Sequence, residues 1–154
     1  MKGLDKLRRK LREIPEVAKA AARLTVVEEA GRMAGLMKGL VPRQSGDLGD
    51  SIHVTGPGET TPPYSQPGGA QVAGPEQAII TAGDTDVRYA HLVEYGTAPH
   101  VNGGMFEGSM HPGAKAQPFF WPAYRALRGK AKRKIGSTIT KSMKQAALRG
   151  GSSP

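Results

Sequence analysis

An α+β fold is predicted for this chain by the order of its segments. Amphipathic helical patterns occupy both ends, short β-branched stretches lie between them, and two Gly/Pro-rich stretches interrupt the middle. The expected architecture is a small, mainly antiparallel sheet of about three or four strands. It packs against a long N-terminal helix and a long basic C-terminal helix, with two long Gly/Pro-rich loops. A length of 154 residues suits one domain, placed at 1–150, with 1–15 a helical extension and 151–154 a flexible tail.

Leu4, Leu7, Leu11 and Ile14 fall on one face of a short first helix, which Pro15 ends or kinks. A second helix is predicted from Glu16 to about Leu40, with Val17, Ala20, Leu24, Val27, Gly31 and Ala34 as its buried stripe. Its many small residues suit close approach to a neighbouring element. Val41-Pro42 stops it. Ser45 to Asp50 reads as a capped helical turn, with the Ser45 hydroxyl as acceptor for an orphan amide. Strands are expected at 51–55 and 77–82, and a third at Val87 to about Val93, alone or running into a helical turn. Residues 56–76 and 96–117 are loops. Two such long loops in one small domain point to arms that reach other subunits. The last helix opens around Phe119-Phe120-Trp121, with prolines placed where a missing N–H costs little, and runs to about Leu148. Its apolar residues Leu127, Ala131, Ile135, Ile139 and Met143 recur every four positions. That line drifts around the helix by about 40° per step. The beginning should therefore pack on the domain, while the far end faces solvent or a neighbour.

The net charge of +9 is unevenly spread. Only Arg88 opposes six acids in 51–110, whereas residues 111–154 carry ten Lys/Arg and no acid. An acidic partner surface or nucleic acid is expected near the C-terminal helix, where Arg125, Arg128, Lys130, Lys132, Arg133, Lys134, Lys141 and Lys144 are the candidate contacts. Cysteine is absent, which removes disulfides and thiolate metal sites. No stretch resembles a signal peptide, and none approaches the roughly 20 apolar residues that span a bilayer. The expectation is a soluble protein made in a cytoplasm, with no membrane partner.

Three motifs stand in a set order. The first is Val41-Pro42-x-x-Ser45-Gly46-x-Leu48-x-x-Ser51-Ile52, and the second is Tyr89-Ala90-x-x-Val93-Glu94-Tyr95-Gly96-Thr97. The third is Ala116-Gln117-Pro118-Phe119-Phe120-x-Pro122-Ala123. With a long helix before them and a basic helix after, the arrangement resembles the gene-product-ten family of neck or tail-completion proteins. That family occurs in long-tailed double-stranded DNA phages, prophages and gene transfer agents, and the resemblance covers roughly residues 10–145. It implies a structural virion protein, assembled in the host cytoplasm as a hexameric ring at the head–tail junction. Head-closure, tail-terminator or tail-tube proteins would be its neighbours, and DNA would pass through it. Taken as residues, the motifs build a fold: a cap, turn and strand start, then a strand end with a packing face, then an aromatic anchor at a helix start.

The loop at 98–115 carries His100, Met105, Phe106, Met110 and His111, an unusually apolar set. It reads equally as an arm docking on an adjacent subunit or as a flap over its own domain. No phosphate loop, zinc-protease helix or nucleophile elbow is present. His53, His91, His100 and His111 offer no third ligand at helical spacing. Neither catalysis, a metal nor another cofactor is expected. Two rival functions remain at this stage: a tail terminator capping the tail tube, and a basic protein binding DNA without sequence preference.

Overall fold

The computed structural model describes residues 16–43 and 46–150. The first short helix, the Ser45 cap and the tail at 151–154 lie outside the described residues. Helix α1 spans Glu16–Leu40 and helix α2 is a single turn, Asp47–Asp50. Strands β1 (His53–Thr55) and β2 (Ile79–Thr81) pair antiparallel, with Val54 opposite Ile80. Helix α3 (Ala90–Tyr95) follows, then β3 (His100–Val101) and β4 (Met110–His111), which form a second antiparallel pair. Helix α4, Phe120–Gly150, completes an α+β fold.

Helices α1 and α4 form the frame. Met33 and Met37, late in α1, share the core with Phe120 and Ala123, early in α4, whereas Glu28 and Glu29 meet Lys134 further along. The two helices therefore run antiparallel. Many of the residues they bury are small: Ala18, Ala22, Ala30 and Ala34 on α1, beside Met33 and Met37, and Ala123 and Ala131 on α4. Such side chains let the axes approach closely. Leu48, Ile52, Ala82, Val87 and Phe119 complete the core, and Val54 and Ile80 pack on it from the sheet.

Three expectations are corrected. A single sheet of three or four strands gives way to two separate two-stranded sheets. The strand expected from Val87 is absent, while the helical turn offered as its continuation is present as Ala90–Tyr95; its core contacts are spaced for a helix, with Tyr89 and Val93 against the core and Ala90 and Glu94 buried. Finally, α1 turns most of its predicted stripe outward, with only Ala34 of it buried. Val17, Leu24 and Val27 are exposed, while Ala18, Ala22, Thr25, Glu29, Met33 and Met37 are buried. Along α4 the predicted drift is present. Ala131 is buried, Leu127, Ile135 and Ile139 are half-buried, and Met143 is exposed. Contact with the frame nevertheless reaches Ser142, further than a helix anchored only by its beginning.

The loop at 56–76 is folded onto the body. Thr60 bridges Val72, Gln66 bridges Ala82, and Thr61, Ser65 and Ala73 are buried. The Arg88 guanidinium sits 4.0 Å from the centre of the Tyr64 ring and ties the loop's outer side to the segment before α3.

Candidate functional site

Two of the three motifs meet at one carboxylate. Glu94, buried on α3, accepts hydrogen bonds through Oε2 from the backbone N–H groups of Phe119 (2.8 Å) and Phe120 (2.9 Å). Its Oε1 accepts from Trp121 N–H at 3.1 Å. An α-helix begins with orphan amides and a positive dipole end, so a carboxylate there satisfies donors and charge together. Pro118 and Pro122 flank these amides and bring no N–H of their own. Tyr95 adds its hydroxyl as acceptor for Trp121 Nε1–H at 2.7 Å, and the Gln117 N–H donates to the Val93 carbonyl at 2.8 Å. Gly96, with φ +72°, lets the chain turn closely; a Cβ there would stand 2.6 Å from the Ala114 oxygen. The second motif thus holds the N-terminus of α4, and the third motif is what it holds.

The first motif works in the same way. Ser51, buried at the end of α2, donates to the Leu48 carbonyl at 2.8 Å and accepts from Gly83 N–H at 3.0 Å. Beside it, the Asp84 carboxylate accepts from the Asp86 and Val87 amides, which holds its pKa below the ordinary aspartate value, the Val87 hydrogen bond contributing most. Gly46 opens α2 and Leu48 fills the core beneath. These residues build the scaffold. What the scaffold presents is found elsewhere.

The loop after Thr97 is a β-hairpin. Its base is the Thr97–Ala114 pairing, the β3–β4 pair is its stem, and a single 3-10 turn at Gly104–Phe106 forms its tip. His100 and His111 stack across the stem, ring centres 5.0 Å apart. His100 Nδ1 lies 3.1 Å from the Ala98 carbonyl, and His111 Nδ1 accepts from Gly113 N–H at 3.0 Å, so each ring nitrogen near the chain is engaged. The apolar side chains point away from the body: Met105 is 93% exposed, Met110 70%, Phe106 68% and Val101 61%.

Helix α4 bears two basic flanks, one on each side of its buried line. Arg125, Arg128 and Lys132 recur at helical spacing on one side, and Lys130, Arg133, Lys141 and Lys144 on the other. All seven side chains are exposed. Lys134 differs. Its Nζ lies 2.9 Å from Glu28 and 3.0 Å from Glu29, tying α4 to α1, and Arg32 joins the same pair of acids. Lys134 keeps its proton above the usual lysine range, and Glu28 is held below its own, chiefly through their shared hydrogen bond.

Beside the Arg125–Lys132 flank runs an open groove of about 360 Å³ between α1, β2 and α4, with Val26, Ala30, Ile80, Tyr124 and Ile135 among its walls. Among the described residues no cluster of three or more His, Asp or Glu could hold a metal ion. None of the described helices is long and apolar enough to cross a membrane.

The hairpin's composition was visible in the sequence. The Glu94 cap was not, since it joins residues 25 positions apart and no local pattern announces it. Nor was the outward turn of Val17, Leu24 and Val27.

No curated protein and no solved structure matches the chain. Residues 5–96, more than half of the chain, match the family described as "Bacteriophage HK97-gp10, putative tail-component". The match takes in the first motif and the second as far as Gly96, and stops before the hairpin and α4. The scaffold from α1 to the helix-capping Glu94 is thus the matched part, and the chain belongs to the HK97 gp10-like family of bacteriophage tail components.

Proposed function

We propose that this chain is a single-domain ring subunit of the virion, forming a closed, sixfold oligomer at the head–tail junction through which DNA passes. The observation that carries the reading is the hairpin at 97–114. A monomer has no use for an ordered arm whose large apolar side chains all face solvent, and such surfaces mark contacts with other proteins. The family supports a structural tail role, and a ring is how such a protein meets both a sixfold tail and the DNA on its axis. The acid-free helix α4 suits a position near DNA or an acidic neighbouring ring. Assembly in the host cytoplasm, against head-closure proteins on one side and the tail tube on the other, completes the proposal.

Electron microscopy of the purified protein without DNA tests it. Rings are the expected result, and monodisperse monomers at every concentration would overturn the reading. Particles lacking the chain distinguish the neck position from the alternative of a tail terminator. Filled heads beside finished but unattached tails indicate a neck protein, whereas tails of faulty length indicate a terminator. Fully infective particles without the chain would refute both. The basic flanks of α4 favour one further reading, a non-specific DNA-binding protein. DNA affinity that falls steeply with salt, in a protein that never forms rings, would select it.

A further inference from the structure

We propose that the hairpin of one copy seats its tip in the α1/β2/α4 groove of the next copy. The inference rests on the ring reading and names the two faces that make the ring.

The two surfaces are complementary in shape and in charge. The hairpin offers Met105, Phe106 and Met110 on a narrow projection, and the groove offers an open, mainly apolar hollow of about 360 Å³, whose one acidic wall residue, Glu29, is already paired with Arg32 and Lys134. The segment 98–114 contains one acid, Glu107, exposed beside Phe106, and no Lys or Arg. The rim of the groove is basic. Tyr124, Arg128, Lys132 and Ile135 follow one another along the same side of α4, so the two cations border the wall that Tyr124 and Ile135 form. An acidic-tipped apolar finger thus faces an apolar slot with a basic lip. Desolvating the methionines and the phenylalanine supplies the attraction, and the charges set the direction of insertion.

The occupant is a second copy because the chain's own tip stands clear of its own groove. The hairpin closes on itself at the Thr97–Ala114 pair, where the chain leaves and rejoins the body, and its tip side chains are exposed among the described residues. Finger and slot are also different patches of one surface. A contact between different patches is heterologous, and repeated with a closing rotation it generates a ring.

The absence of cysteine makes the test direct. One variant carries Met105→Cys and another Arg128→Cys, both at exposed positions, and the two are mixed and treated with a short thiol crosslinker. A covalent dimer in the mixture, above the level given by either variant alone, is expected. The double variant should give a ladder that ends at the ring number. Crosslinks confined within single chains would show the hairpin folding over its own groove and would overturn the proposal. Rings without any crosslink would overturn the proposal while preserving the ring reading. An open ladder without closed rings would do the reverse, supporting the contact and refuting the ring.

Phe106→Asp provides a second measurement. It should abolish assembly with no change in melting temperature, since Phe106 is exposed in the monomer; undiminished rings would refute the contact. Glu107→Lys should weaken assembly about tenfold, and adding Lys132→Glu should restore it.

Discussion

Glu94 holds three backbone amides that no other acceptor reaches in this geometry, and it does so from inside the fold. Replacing it with alanine strips those donors at the start of a 31-residue helix and leaves the Phe119 and Phe120 amides buried. Each buried group left unpaired costs on the order of 1–3 kcal/mol, and loss of a helix cap typically about 1. Partial access of water to Trp121 moderates the sum, so Glu94→Ala should destabilise by about 3 kcal/mol. At about 2–4 °C per kcal/mol for a chain of this size, the melting temperature should fall by about 10 °C. Glu94→Gln keeps an acceptor oxygen but loses the charge, and should fall between the two. A Glu94→Ala protein melting with the parent would show that the cap contributes nothing. Asp84 makes a smaller and pH-dependent contribution. Its folded pKa is depressed by the Val87 and Asp86 amides, so its contribution is complete above the unfolded value and is lost as pH falls through the folded one. Acid titration of stability should therefore show part of the loss below about pH 4. Asp84→Asn should remove that part, and identical acid profiles for the two proteins would contradict the assignment.

At the scale of elements, α1 shows what a sequence pattern reveals and what it leaves open. Its end before Pro42 follows from that proline and from the helical spacing that precedes it, and the helix runs to Leu40 as expected. Its inward face did not follow. The line of Val17, Leu24 and Val27 suggested the core, but the buried face combines Met33 and Met37 with alanines. The partner decides otherwise. Helix α4 presents Ala123 and Ala131 at the contact, so alanines on α1 give the close fit, and Val17, Leu24 and Val27 are left outside. Similarly, Val87–Val93 suggested a strand, alone or running into a helical turn, and the helix prevails because Tyr89 with Val93 and Ala90 with Glu94 sit four apart for the core to use. The three motifs were legible as fold-building, but the reason they occur together, one carboxylate and one serine hydroxyl joining distant turns, needed the folded chain. The orientation of α1 has a direct check. Leu24→Ser, at a position 76% exposed, should shift stability by less than about 0.5 kcal/mol, whereas Met37→Ala, fully buried, should cost about 2–5 kcal/mol. Equal losses measured by chemical denaturation would mean that Leu24 is packed in the isolated subunit.

For the molecule as a whole, the two basic flanks of α4 should have separable duties. Lys130, Arg133, Lys141 and Lys144 form a stripe about 21 Å long at 1.5 Å per residue, on the side of the helix away from the groove. Arg125, Arg128 and Lys132 lie on the groove side. If the groove receives a neighbour's hairpin, the second flank is consumed in assembly and the stripe is what remains for DNA in the lumen. Contacts to phosphate reveal themselves by counterion release, each lowering the slope of log affinity against log salt by about 0.9. Changing all four stripe residues to glutamine should therefore flatten that slope for assembled rings by up to about 3.6, with ring formation intact. Changing Arg125, Arg128 and Lys132 should instead impair ring formation, while whatever subunits still assemble keep the parental slope. A stripe variant with the parental slope would show that this flank does not face DNA, and the acid-free helix would then be read as a clamp on an acidic neighbouring ring. Loss of rings in the stripe variant would place that flank at a subunit contact and undo the division of labour.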